Sequence, residues 1–131
     1  MKRPDAAVGD ISLGDRLYRR VLELLESKWT VPVLHALDGG SHRYRQIEAR
    51  IRDITQKMLT QTLRRLERDG VVRRIVHPTV PPAVGYELTE LGRSLMPHIR
   101  GFRTWALEHY AEVEAARAEY DRRHGRNREA E

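Results

Sequence analysis

The 131 residues suit one domain with a single modest core, and they carry a formal charge of +5, from 24 Lys+Arg against 19 Asp+Glu. The absence of cysteine excludes disulfides, thiol switching and cysteine metal sites. No apolar run approaches the roughly eighteen residues of a membrane span, and "MKRPDAAVGD" lacks the apolar stretch of a signal peptide, so a cytoplasmic protein without a membrane partner is expected.

Residues 1–11 read as a flexible N-terminus, and residues 12–115 as the folded domain. Leu13, Leu17, Val21, Leu24 and Leu25 recur at helical spacing and predict a first helix over about 12–27. Thr30 looks like the N-cap of a second helix, with Pro32 in its first turn and Val33, Leu34 and Leu37 on its apolar face. "DGG" ends that helix, "SHRY" suits a minor strand, and "RQIEARI" a short helix. Thr55 is the expected N-cap of the strongest helix, "QKMLTQTLRRLERD", with Gly70 where a left-handed C-cap is wanted. "VVRRIV" and "AVGYELT" read as strands, and Thr89 as the cap of a further helix. Pro97 is expected to break or kink that helix, after which Ile99, Phe102, Ala106, Tyr110 and Val113 form a long stripe. Residues 116–131 are charged and nearly free of apolar side chains, the composition of a frayed tail.

Four helices, a β-hairpin and a last helix make a mainly α protein with a small β-hairpin, and three helices directly before a hairpin are the plan of an α+β winged helix-turn-helix. The charge distribution agrees with that plan. Between Ser41 and Val76 ten cations face four acids, a local +6, while the remainder of the chain is −1. A local excess of Arg is the footprint of a polyanion partner. On a wheel of about a hundred degrees per residue, Leu59, Leu63 and Leu66 centre on one side of the strongest helix. Lys57, Gln61, Arg64 and Arg68 centre on the other, with Thr60 beside them. Lys and Arg donate to guanine edges and Gln pairs with adenine, so that face combines base-reading and phosphate-binding groups. The N-terminal half reads bases in helix-turn-helix proteins, which favours Gln56, Lys57, Thr60, Gln61 and Arg64, with Thr55 at the cap. Arg43, Arg68, Arg74, His77 and Thr79 are candidate phosphate contacts. A solvated polar helix face would have the same composition, and the neighbouring hairpin and the local charge are what favour double-stranded DNA.

"SKWTVPVLHAL", "RYRQIEARI", "ITQKMLTQTLRRLERDGVVRR", "VPPAVGYELTELGRSLMP" and "TWA", in this order and spacing, resemble the HxlR-type winged-helix transcriptional regulators, a bacterial and archaeal group near the MarR family. The resemblance implies a sequence-specific regulator that binds a palindromic operator as a homodimer. It implies that "TQKMLTQTLRRLERD" is the recognition helix and "VHPTVPPAVGY" the wing, and that the protein dimerises through its N- and C-terminal helices. Leu13, Leu17, Val21, Ile99, Phe102, Ala106 and Tyr110 are the interface residues this suggests. Family analogy also suggests a small-molecule effector, with Trp29, Phe102 and Trp105 as residues to watch. The chain departs from the family pattern in three places. The cysteine that many members use for oxidant sensing is absent. Glu26 and Ser27 stand where two glycines are usual. The wing reads Pro81-Pro82-Ala83-Val84-Gly85-Tyr86, where Pro-Pro-Arg-Val-Glu-Tyr is common.

Other signals point elsewhere only weakly. "PTVP" is formally a PxxP ligand string, but β-like runs flank it on both sides, and proline suits a stiff hairpin loop. The six histidines form no i,i+4 pair, so neither a metal nor a cofactor is expected. No nucleophile elbow, Walker loop or dinucleotide fingerprint occurs, so an enzyme is not expected. The rival reading is a winged-helix protein-interaction module without specific DNA binding. The expected location is cytoplasmic and nucleoid-associated.

Overall fold

The computed structural model describes residues 12–130, with side chains from Gly14 to Gly125; residues 1–11, expected as a flexible N-terminus, lie outside the described residues, as does the side chain of Leu13. The chain forms α1 (Ser12–Leu25), α2 (Thr30–Leu37), β1 (His42–Arg43), α3 (Tyr44–Arg50), α4 (Gln56–Arg68), β2 (Val72–His77), β3 (Ala83–Leu88) and α5 (Glu90–Ala130). It divides into two units, Met1–Ser94 and Leu95–Glu131.

The first unit holds the helix-turn-helix and its wing. The sheet has three strands in the order β1-β3-β2, all antiparallel, so "SHRY" does supply a minor strand. The hairpin register sets Val72 opposite Leu88 and His77 opposite Ala83, and His42 pairs with Tyr86 across β1 and β3. Val33, Leu34 and Leu37 from α2, Ile47 from α3, Leu59, Leu63 and Leu66 from α4, and Val72 and Leu88 from the strands are all buried. Each buried leucine contributes about 1.5–3 kcal/mol relative to exposure, so this cluster fixes the position of α4.

Local chemistry explains the boundaries of α4. The Thr55 hydroxyl accepts a hydrogen bond from Met58 N at 3.1 Å, satisfying an orphan donor of the first turn. At the other end Gly70 has φ +79, the left-handed conformation that favours glycine after a helix. Between α3 and α4, Asp53 turns the chain at φ 68, which Asp tolerates better than most residues. Replacing Thr55 with alanine should cost about 1 kcal/mol of stability, measurable by urea titration. An unchanged midpoint would show that the cap contributes nothing.

Three local expectations need correction. Thr30 is not an N-cap: Trp29 holds that position, its N–H bonded to Ser27 Oγ at 3.3 Å. Thr30 lies inside α2, fully buried, with its hydroxyl lacking a partner. Pro97 does not break α5, which continues through it. A proline removes one backbone hydrogen bond at a cost of about 3 kcal/mol, which the remaining turns absorb. The expected frayed tail is helical through Ala130. Its Ala, Glu and Arg residues are strong helix formers, and Glu119 pairs with Arg122 and, at 3.7 Å, with Arg123 one turn on.

Candidate nucleic-acid interface

With its leucine side buried, α4 turns the opposite side outward. Gln56, Lys57, Gln61, Arg64 and Arg68 are all exposed, and so are Thr55 before it and Arg43 at the start of α3. The thirteen residues of α4 span about 20 Å. That length and the width of a helix match the major groove of B-form DNA.

Thr60 differs from its neighbours. It is half-buried, and its hydroxyl lies 3.0 Å from the Tyr44 phenol oxygen. The same phenol lies 3.0 Å from the Gln56 carbonyl. A carbonyl only accepts, so the phenol proton goes to Gln56 and the Thr60 hydroxyl donates to Tyr44. The Thr60 proton is thus committed inside the protein, while its methyl group remains for apolar contact. Tyr44 therefore ties α3 to the first turn of α4 and fixes the turn that carries Gln56, Lys57 and Gln61. Tyr44 escaped the sequence reading because an aromatic residue opening a short helix reads as packing; no local pattern marks where its hydroxyl points.

The ten cations of the basic segment are not equivalent. Arg50 Nη1 donates to the Ala36 carbonyl at 2.8 Å and lies 2.8 Å from His42 Nε2. His42 Nδ1 in turn lies 2.9 Å from the Gly40 carbonyl, so Nδ1 carries the proton and Nε2 accepts from Arg50. Arg50 thereby clamps α2, β1 and α3 together. Arg73 bonds Glu87 across the hairpin, with Nε at 3.1 Å and Nη2 on the same oxygen. Those two are engaged within the fold. For Lys57, Arg64, Arg68 and Arg74 no ion pair is seen among the described residues, and all four are exposed.

The wing loop is residues 78–82, between β2 and β3. Val80 at its tip is fully exposed, and no Lys or Arg occurs between Arg74 and Arg93. Ala83, where the resemblance places an Arg, sits in the ladder opposite His77. Gly85 is buried, and a Cβ there would lie 3.3 Å from His77 Nε2 and 3.4 Å from Ser41 Oγ. The missing side chain thus lets the His77 ring fold over the sheet and leaves it half-buried. The Thr79 hydroxyl donates to the Pro81 carbonyl at 2.8 Å, so its proton is used within the loop. Neither His77 nor Thr79 is as free as Lys57 or Arg64.

Of the suggested interface residues, Leu17 and Val21 on α1 are exposed, as are Phe102, Ala106 and Tyr110 on α5. Ile99 differs from these at 2% exposed. Trp29 is half-buried, with Lys28 Nζ 4.9 Å from its ring centroid. On α5, His98, Gly101, Phe102 and Trp105 border an apolar concavity of about 550 Å³. No helix among the described residues is long and apolar enough to cross a membrane, and no group of three metal-ligating side chains occurs among them.

The model of the HxlR-like helix-turn-helix family matches residues 24–114. The chain is 40% identical over 101 residues to the uncharacterized HTH-type transcriptional regulator YtfH of Escherichia coli K12, covering 77% of this chain and 80% of that one. It is 45% identical over 92 residues to the uncharacterized HTH-type regulator YtcD of Bacillus subtilis, covering 70% and 73%. Among solved structures, the redox regulator HypR in its reduced form superposes with a TM-score of 0.71 at 35% identity, over 75% of this chain and 97% of that one. The exposed face of α4, the hairpin beside it and these likenesses agree, and the chain belongs to the HxlR-like helix-turn-helix family of transcriptional regulators.

Proposed function

We propose that the protein regulates transcription by binding a palindromic operator in double-stranded DNA as a homodimer, with α4 of each copy in the major groove. The observation that carries this is the pairing of a leucine face buried in the core with an exposed face of Gln56, Lys57, Gln61 and Arg64, its first turn held by Thr55 and Tyr44. Arg43, Arg68 and Arg74 hold phosphates, while the wing, lacking cations, positions the domain through its backbone with little base selectivity. The exposed apolar faces of α1 and α5 support self-association, because contiguous apolar patches on a small domain mark contact surfaces. Two copies related by a two-fold axis read two inverted half-sites.

The concavity bordered by Phe102 and Trp105 supports a small apolar effector; its volume falls within the usual range for ligand sites. The signal does not run through thiol oxidation, since the 131 residues contain no cysteine. The expected location is the cytoplasm, on the nucleoid.

Selection from random duplexes by the purified protein should enrich an inverted repeat. Affinity for the enriched site should fall on the order of a thousandfold between 50 and 200 mM salt if six or more phosphates are neutralised. No enrichment together with a flat salt response would replace this reading with a protein-interaction module.

A further inference from the structure

A threonine inside a helix commonly turns its hydroxyl back on its own backbone, to the carbonyl four residues earlier. Thr62, buried in α4, does so: its Oγ1 donates to the Met58 carbonyl at 2.7 Å. Two residues away, Thr60 behaves differently. The carbonyl four residues before it, that of Gln56, receives the Tyr44 phenol proton at 3.0 Å. The Thr60 hydroxyl instead leaves the helix and meets the phenol oxygen, also at 3.0 Å. A helical threonine divides between two χ1 rotamers because its hydroxyl has a choice of partner. Tyr44 settles that choice. Beyond Cβ the one remaining heavy atom of the Thr60 side chain is the Cγ2 methyl, and Thr60 stays only half-buried.

The surroundings of that methyl say what it can touch. Gln56 and Arg64 stand one turn to either side of Thr60 and share its face of α4, and both are exposed. Lys57 and Gln61, also exposed, complete the neighbourhood. These four side chains all bring hydrogen-bond donors, and Thr60 brings none. A phosphate oxygen only accepts, so a hydroxyl whose proton is already given to Tyr44 has nothing to offer it. An apolar methyl suits the C5 methyl of thymine, which in the major groove distinguishes T·A from the other pairs.

We propose that Thr60 reads a thymine methyl in each half-site, and that Tyr44 is the positioning residue that imposes this specificity by holding the Thr60 hydroxyl. This rests on the placement of α4 in the major groove and deepens it. Tyr44 itself touches no base; it acts through the rotamer of Thr60.

The test replaces each thymine of the selected half-site in turn by deoxyuridine, which removes only the C5 methyl. Affinity of the full-length protein should fall several-fold at one thymine per half-site. Thr60→Val, which keeps a methyl and loses the hydroxyl, should retain that penalty, and Thr60→Ser, which keeps the hydroxyl and loses the methyl, should abolish it. Tyr44→Phe preserves the ring and removes the phenol oxygen. It should shrink the penalty severalfold by freeing the Thr60 rotamer, yet change nothing when added to Thr60→Val, where no hydroxyl is left to release. A Tyr44 that merely braced α3 against α4 would weaken thymine and deoxyuridine duplexes alike and leave their ratio untouched. If an inverted repeat is enriched but no thymine methyl matters, or the penalty survives in Thr60→Ser or in Tyr44→Phe, the inference is wrong and the regulator stands. If no inverted repeat is enriched, both readings fail.

Discussion

Gly92→Ala is expected to destabilise the winged-helix unit by about 3 kcal/mol or more, the upper end of overpacking effects. A Cβ at Gly92 would sit 2.1 Å from the Val71 carbonyl oxygen, 3.1 Å from the Val71 carbonyl carbon and 3.3 Å from Leu88 Cδ2. Two of those three atoms are backbone, and neither side can retreat easily. Val71 N bonds the Leu66 carbonyl at 3.1 Å, and the Val71 carbonyl accepts from Thr89 N at 3.1 Å. On the helix side, Gly92 N donates to the Thr89 hydroxyl at 3.1 Å, and that hydroxyl donates to the Gly70 carbonyl at 2.6 Å. The first turn of α5 is thus held against the segment joining α4 to β2. Alanine has the better helix propensity, by about 1 kcal/mol, so the clash must outweigh a real gain. Gly101 provides the contrast, because a Cβ there meets nothing within 4 Å. Gly101→Ala should therefore stabilise by roughly 0.5–1 kcal/mol. Urea titration of both variants checks the pair, and a Gly92→Ala protein as stable as the parent would refute the close approach.

This contrast shows where sequence reasoning reaches and where it stops. The leucines of α4, its Thr55 cap and Gly70 are local signals written in consecutive residues, and the structure follows them. The hairpin is legible for the same reason, since two β-like runs flank a proline-rich loop. Gly92 is not legible, because its requirement comes from Val71, twenty-one residues earlier and brought close only by the fold. The Tyr44 to Thr60 contact is likewise tertiary; on the wheel Thr60 sits at the edge of the polar face, where burial depends on what α3 places beside it. The tail misled because its low apolar content argues against a core but says little about a helix held by its own charge pairs. Pro97 misled because a single helix-breaking residue was weighed without the turns on either side. The basic segment presents ten cations alike, and Arg50 and Arg73 are subtracted from them only once their partners within the fold are known.

That subtraction sharpens the prediction for Arg64. Its side chain is exposed near the centre of the polar face of α4, and no ion pair or hydrogen bond holds it among the described residues. Truncation should leave stability within about 0.5 kcal/mol, as for surface positions without partners. Specific operator affinity should fall by about 1–3 kcal/mol, roughly five- to 150-fold, as expected for loss of a bidentate contact to a guanine edge. The profile matters as much as the size. A base-reading Arg64 relaxes preference at one position of each half-site, whereas a phosphate contact weakens all sequences alike and lowers the salt slope by about one. Arg73→Ala is the matched control, because its guanidinium is bonded to Glu87 and less available to DNA. It should therefore change operator affinity less than Arg64→Ala does. Repeating the random-duplex selection with both variants separates these cases. A selected motif unchanged in Arg64→Ala, with affinity within twofold of the parent, would remove α4 from the major groove in its proposed orientation and turn attention to the wing and α3.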